Sequence, residues 1–288
     1  MNEIDEFKVI GQRRLLSTLD DLIDNKVFPR FVILVGQSGS GKRHIVKYIS
    51  KKLGMFNKQL GAFEYIMPLV PNVDTIRAMV NEAYKVAEPT LYVIAYGDTL
   101  SPAAKNALLK VTEEPPRNAY FILLLEDLNN TLATIRSRGT VMYMDPYSSV
   151  DIDEYYKTYF KVDTDERQIM LELCETPGEV NALHEMDAFA LRSFVEKVVD
   201  NIATVSGSNS FKIANSIALK ETDTDKYDLR LFWKAFMIVC SDRLRSDPMR
   251  YASGIKITSK YMQELRITGI NKASTFDMWL LDIRKEWF

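Results

Sequence analysis

The run of residues 119–125, AYFILLL, constrains the fold more than any other stretch. It is apolar throughout and does not alternate, the pattern of a strand buried on both faces of a parallel sheet. Parallel neighbours need crossover connections, so helices must cover such a sheet on both sides. Residues 31–35, FVILV, and 91–95, LYVIA, are two more runs of this kind, and residues 65–70 read as a further strand. The expectation is an α/β domain.

The strand at 119–125 sits inside an informative segment, residues 101–138. Ser101 can cap a helix and Pro102 fits its first turn, where a missing N–H costs nothing. Ala104, Leu108 and Val111 recur at helical spacing, and Pro115-Pro116 ends the helix. After the strand comes a polar corner at 127–130, then a short turn closed by Arg136, Ser137 and Arg138.

The strand at 31–35 runs into Gly36-Gln37-Ser38-Gly39-Ser40-Gly41-Lys42-Arg43. This fits GxxxxGK, a P-loop whose glycines let backbone N–H groups close round a phosphate at a helix N-terminus. The residue after the lysine is normally Ser or Thr, whose hydroxyl holds magnesium. Here it is Arg43, a cation with no acceptor. The anion cradle is kept and one metal ligand is gone.

NALLK and EEPP at 106–116, the apolar strand, and TIRSR at 134–138 together resemble the clamp loader branch of the AAA+ ATPases, and within it the delta-prime type of bacterial or viral subunit. The resemblance is clear from Val9 to about Pro146 and weak beyond. It implies an AAA+ P-loop domain with a parallel sheet (residues 1–146), a small helical lid (147–204) and an all-α collar that joins subunits into a ring (205–288). It also implies that Val9-Ile10-Gly11-Gln12 lies near the adenine. The bland alternative for these four residues is a turn before the helix at 14–23.

The resemblance also marks departures. The acidic pair that ends the strand at 91–95 in active relatives falls on Ala95 and Tyr96. Asp98 matches a later acidic position, and a loop-capping role competes there with that of a displaced metal ligand. The sensor for the terminal phosphate falls on Leu125 or Glu126, and the lid arginine expected after Thr176-Pro177-Gly178 is Glu179. Phosphoryl transfer depends on positioning and on charge neutralisation by metal and cations. Loss of all these stations predicts no ATP hydrolysis at this chain's own site.

The predicted nucleotide positions are therefore Ile10, Gly11, Gly36, Gly39, Ser40, Gly41 and Lys42, in degenerate form, with no metal ligand. No cofactor is required and no zinc is expected; the P-loop either holds ATP or ADP loosely or is empty. The residue carried over as functional is Arg138, an arginine finger placed in a neighbouring subunit's ATP site, since a planar guanidinium forks onto phosphate oxygens. The competing reading is a surface arginine in a local salt bridge. Arg136 is expected to be structural. The implied role is a non-hydrolysing subunit of a hetero-oligomeric clamp loader, with a sliding clamp and, through the complex, primer–template DNA as partners. The rival is an active AAA+ motor or switch with atypical chemistry; a scaffold outside replication is a third reading.

Composition sets the outer bounds. Length, 288 residues, allows two or three domains, and 47% apolar with 26% charged content is ordinary for a globular protein. The formal net charge of -2 gives no global field toward nucleic acid. Cys174 and Cys240, without metal-like spacing, argue for a reducing, cytoplasmic setting, and the short stretch at 53–61 has no cysteine for the zinc module of some relatives. No signal peptide or membrane span is expected.

The stripe Ile152, Tyr155, Tyr156, Tyr159 and Phe160 reads as a core-facing helix, with a base-stacking platform as the alternative. Further helices are expected at 169–174, 179–186, 211–219, 229–244, 257–265 and 272–287. His44 and His184 have no catalytic company.

Overall fold

The structure is a computed structural model that describes residues 8–57, 62–63, 71–161, 164–202, 229–265 and 271–288. These divide into two compact units, Met1–Asp151 and Ile152–Phe288.

The first unit is α/β. A four-stranded sheet has the order β4-β5-β1-β6, where β1 is Phe31–Val35, β4 Thr90–Ile94, β5 Ala119–Leu125 and β6 Thr140–Tyr143. Every neighbouring pair is parallel, with Val35 opposite Leu125 and Ile94 opposite Leu123. Period-two alternation sends the strand residues to two different cores. Phe31, Ile33, Val35, Tyr92, Ile94, Phe121, Leu123 and Leu125 pack under α3 (Val73–Ala83), α4 (Pro102–Glu113) and the one-turn α5 (Ala133–Arg136). Val32, Leu34, Leu91, Val93, Ile122 and Leu124 pack under α1 (Arg13–Asp24) and α2 (Lys42–Lys52). A fully apolar strand is what this two-sided burial requires. A small antiparallel pair, β2 (Phe56–Asn57) and β3 (Ala62–Phe63), stands apart from the sheet. The strand expected at 65–70 lies outside the described residues.

Helix α4 starts as its sequence dictates: Ser101 accepts from the Ala104 N–H at 3.2 Å and Pro102 occupies the first turn. Asn72 does the same for α3, accepting from the Asp74 and Thr75 N–H groups.

The second unit, from Ile152 on, is helical. Most of α6 (Ser149–Tyr159) belongs to it, followed by α7 (Thr164–Leu173), α8 (Pro177–Met186), α9 (Ala188–Asn201), α10 (Leu229–Arg243), α11 (Pro248–Glu264) and α12 (Lys272–Trp287). Its core is aromatic: Phe232, Trp233, Phe236, Phe276 and Trp279 are fully buried. Phe236 meets Trp279 edge-on at 4.9 Å, a favoured ring geometry. Trp279 donates to the Thr258 hydroxyl at 2.9 Å and Tyr261 to Asp282 at 2.7 Å, so these two buried polar tips are satisfied. Gly254 on α11 lets α12 come close, since a Cβ there would stand 2.7 Å from the Trp287 ring.

The domain boundary expected near 204–210 and the helix at 211–219 lie outside the described residues. The helices on either side are in one unit. Phe194 of α9 and Phe232 of α10 have ring centroids 6.0 Å apart, and Arg192 holds Asp242 at 3.0 Å. In the expected stripe, Ile152 and Tyr156 are core residues, while Tyr159 is exposed. Among the described residues no helix is long and apolar enough to cross a membrane.

Candidate functional site

The P-loop leaves β1 at Val35 and enters α2 at Lys42. The Gly36 N–H is bonded to the Leu125 carbonyl at 3.0 Å, which fixes the loop's start against β5. A Cβ at Gly36 would stand 2.4 Å from the Met144 side chain, so only glycine fits. Gly39 and Gly41 have φ of 75° and 84°, left-handed conformations that turn the loop back on itself. No side chain caps α2, and its first turn carries no acidic residue. Lys42 reaches back across the loop, donating to the Gly36 carbonyl at 2.6 Å and the Gln37 carbonyl at 2.9 Å. Burial pushes its ammonium pKa down, and Glu126 and Asp98 pull it partly back.

Ser40 is 4% exposed, and its Oγ has no hydrogen-bond partner among the described residues. Its carbonyl accepts from the Tyr147 hydroxyl at 2.8 Å. The Tyr147 ring also lies beside Gly11, where a Cβ would come within 3.2 Å of it. Ile10 is buried, and Gln12 exchanges two hydrogen bonds with the Asp145 backbone, at 2.8 and 2.7 Å. The Asp145 carboxylate receives the Arg14 N–H at 3.0 Å. Tyr147 thus joins the Ile10–Gly11 turn to the P-loop, and all the sequence-predicted nucleotide positions meet at one end of the sheet.

Two of the altered stations, Arg43 and Tyr96, are joined to each other. Arg43 Nη2 donates to Tyr96 Oη at 2.8 Å, and its guanidinium carbon lies 5.3 Å from the Tyr96 ring centroid. Ala95 is buried in the α1–α2 core. Asp98 is a loop cap: its oxygens accept the N–H groups of Glu126 and Asp127, at 2.8 and 3.1 Å, and the Asn130 amide at 3.0 Å. Leu125 is fully buried and Glu126 is exposed. Among the described residues no group of three or more His, Cys, Asp and Glu side chains is placed to hold a metal ion.

Glu179 belongs to the second unit's interior. It accepts the Glu175 N–H at 2.7 Å and holds Lys234 at 2.8 and 3.0 Å. Nearby, burial and the Glu179 charge push the Cys174 thiol up to about 12, the state of an inert buried cysteine.

Arg138 stands just past α5 and is 39% exposed. Its Nη1 donates to the Thr134 carbonyl at 3.0 Å, and its Nη2 lies 3.3 Å from a Glu113 oxygen. Arg136 donates to Asn129 at 3.2 Å. The ion pair joins the arginine to the EEPP segment, two parts of one sequence motif.

Sequence reasoning missed Tyr147 and Asp145, which are more than 100 positions from their partners. It flagged Arg43 and Tyr96 separately, but no local pattern announces that they bind each other.

Residues 70–148 match the family model described as DNA polymerase III, delta subunit. Over 75 residues the chain is 35% identical to the DNA polymerase III subunit delta' of Yersinia pestis, covering 25% of this chain and 22% of that protein. Over 179 residues it is 26% identical to the DNA polymerase III subunit gamma of Buchnera aphidicola subsp. Schizaphis graminum, covering 54% of this chain and 48% of that protein. The chain therefore spans less than half the length of either relative. A crystal structure of a DNA polymerase III gamma subunit-related protein from Thermotoga maritima superposes with a TM-score of 0.54 at 15% identity, over 96% of this chain and all of that one, a likeness of fold. A P-loop at the end of a four-stranded parallel sheet, followed by a helical region, is an AAA+ architecture, and in sequence this chain is similar to the delta-prime and gamma subunits of DNA polymerase III.

Proposed function

We propose that this chain is a clamp loader subunit of the DNA polymerase III type that does not turn over ATP at its own P-loop. It works in the cytoplasm inside a hetero-oligomeric ring that opens a sliding clamp and sets it on primed DNA. Its own contributions are a rigid sheet, subunit contacts and Arg138 presented to a neighbour's nucleotide. In this reading residues 147–204 serve as lid and 205–288 as collar.

The observation that carries the non-hydrolysing part is the Arg43–Tyr96 pair. Hydrolysis in a P-loop enzyme needs a hydroxyl and a carboxylate round a magnesium ion. This chain has a guanidinium at the hydroxyl position and Ala95 and Tyr96 at the acidic pair, and the Tyr96 phenol is bonded to that guanidinium. The rest of the cradle, with Gly39, Gly41 and Lys42, favours a second reading, an active ATPase with unusual chemistry. ATP turnover by the purified chain decides between them. Background turnover is the expected result, and magnesium-dependent turnover abolished by Lys42→Ala would favour the second reading.

A further inference from the structure

The fold implies magnesium at the P-loop, and the residues present do not fit it. A hard dication wants oxygen ligands, several of them anionic. Arg43 offers a positive charge and no acceptor, and the Tyr96 hydroxyl receives its hydrogen bond at 2.8 Å. Asp98 is held as a loop cap by the Glu126, Asp127 and Asn130 donors, and among the described residues no group of three or more His, Cys, Asp and Glu side chains is placed to hold a metal ion. What this corner has in place of a bound cation is a covalently attached one, steadied by an aromatic ring 5.3 Å away.

We propose that the Arg43–Tyr96 pair takes the metal's place, so that this P-loop engages a nucleotide's polyphosphate as the free anion and not as its magnesium complex. The charge on α2 agrees with this. A helix N-terminus is its positive end and disfavours cations, yet the first turn of α2 carries Lys42 and Arg43 and no acid. Phosphate oxygens would relieve that repulsion. They would also take over the Lys42 ammonium, which now donates to the carbonyls of Gly36 and Gln37. Tyr96, two residues past β4, has a backbone φ of 59°, a left-handed conformation uncommon for a bulky residue, and its phenol stands where Arg43 reaches it.

The experiment is calorimetric titration of the full chain with ATP and, separately, with inorganic tripolyphosphate, each in EDTA and in excess magnesium. ATP binding in EDTA at least as tight as in magnesium is the expected result, and tripolyphosphate that matches ATP would assign recognition to the phosphates alone. Lys42→Ala removes the binding heat. The double variant Arg43→Ser with Tyr96→Asp restores a hydroxyl and a carboxylate, and its ATP affinity becomes about tenfold or more tighter with magnesium, the equivalent of one charge-assisted contact. Tyr96→Phe keeps the ring and loses the hydroxyl, so it weakens metal-free binding by only about two- to fivefold. Magnesium tightening wild-type binding tenfold overturns the inference, and so does the absence of binding in both buffers by a folded chain. A chain that assembles with its partners but takes no metal-free ATP would keep the clamp loader role and lose this inference.

Discussion

Lys234 and Arg138 are both cations held by glutamates, one in each unit, and their settings are opposite. The Lys234 side chain is 10% exposed and lies 2.8 Å from a Glu179 side chain that is itself 14% exposed. Arg138 is 39% exposed, and its partner Glu113, 52% exposed, is 3.3 Å away. A buried pair cannot be opened without stranding a charge in a poor solvent for it. An exposed pair is worth roughly 0–1 kcal/mol, because water replaces either partner almost fully. Lys234 is therefore fixed in the fold, whereas Arg138 can leave Glu113 at little cost. The finger role proposed for Arg138 requires a pair of the second kind.

The largest expected effect tests that freedom. Arg138→Ala should leave unfolding stability within about 0.5 kcal/mol. On the proposed finger role, ATP turnover at the neighbouring site should fall about a thousandfold, with a smaller defect in a complex that has several sites. Arg138→Lys should restore little, since a point charge cannot fork. Arg136→Ala is the control. Clamp- and DNA-stimulated ATPase of the reconstituted complex is the measurement; equal rates at matched assembly would leave Arg138 with its salt bridge alone.

Next comes the buried side of the contrast. Lys234→Ala should cost about 3–5 kcal/mol in urea unfolding, and the apolar pair Lys234→Met with Glu179→Leu should recover most of it. A loss below about 1 kcal/mol for Lys234→Ala would erase the distinction. Asp98→Ala should cost about 1–2 kcal/mol, because two backbone N–H groups and an amide lose their acceptor at an exposed corner.

The smallest effect is a pH dependence. The Arg167 guanidinium beside Asp153 holds its carboxyl down at about 2, below its ordinary 3.8. A depressed carboxylate stabilises the fold above its unfolded value and loses that contribution as pH falls from about 4 to about 2. Arg167→Gln should flatten this part of the stability profile in acid titration. An unchanged profile would show that solvent already screens the pair.

The strands β1, β4 and β5 were legible because burial on both faces leaves no room for polar residues. Strand β6 was not, because Thr140 and Tyr143 are exposed and only Met142 of its four residues is buried, whereas β4, at the opposite edge, is buried along most of its length. Helix α9 escaped because Asp187 alone separates it from α8. That one residue ends α8 and caps α9, accepting from Phe189 and Ala190, so no loop punctuates the sequence. The P-loop was fully legible as spacing. Its pairings were not, since Arg43 finds Tyr96 and Ser40 finds Tyr147 only through the sheet's crossovers.

All three tryptophans of the chain, Trp233, Trp279 and Trp287, sit in the helical second unit, and each is buried. Excitation at the indole band therefore illuminates that unit alone, while the P-loop unit contributes only tyrosine and phenylalanine emission. A tryptophan placed beside the P-loop would be the first emitter there. The protein comes with a dark half and a bright half, and a single label can tell an event at the nucleotide corner from one among the helices.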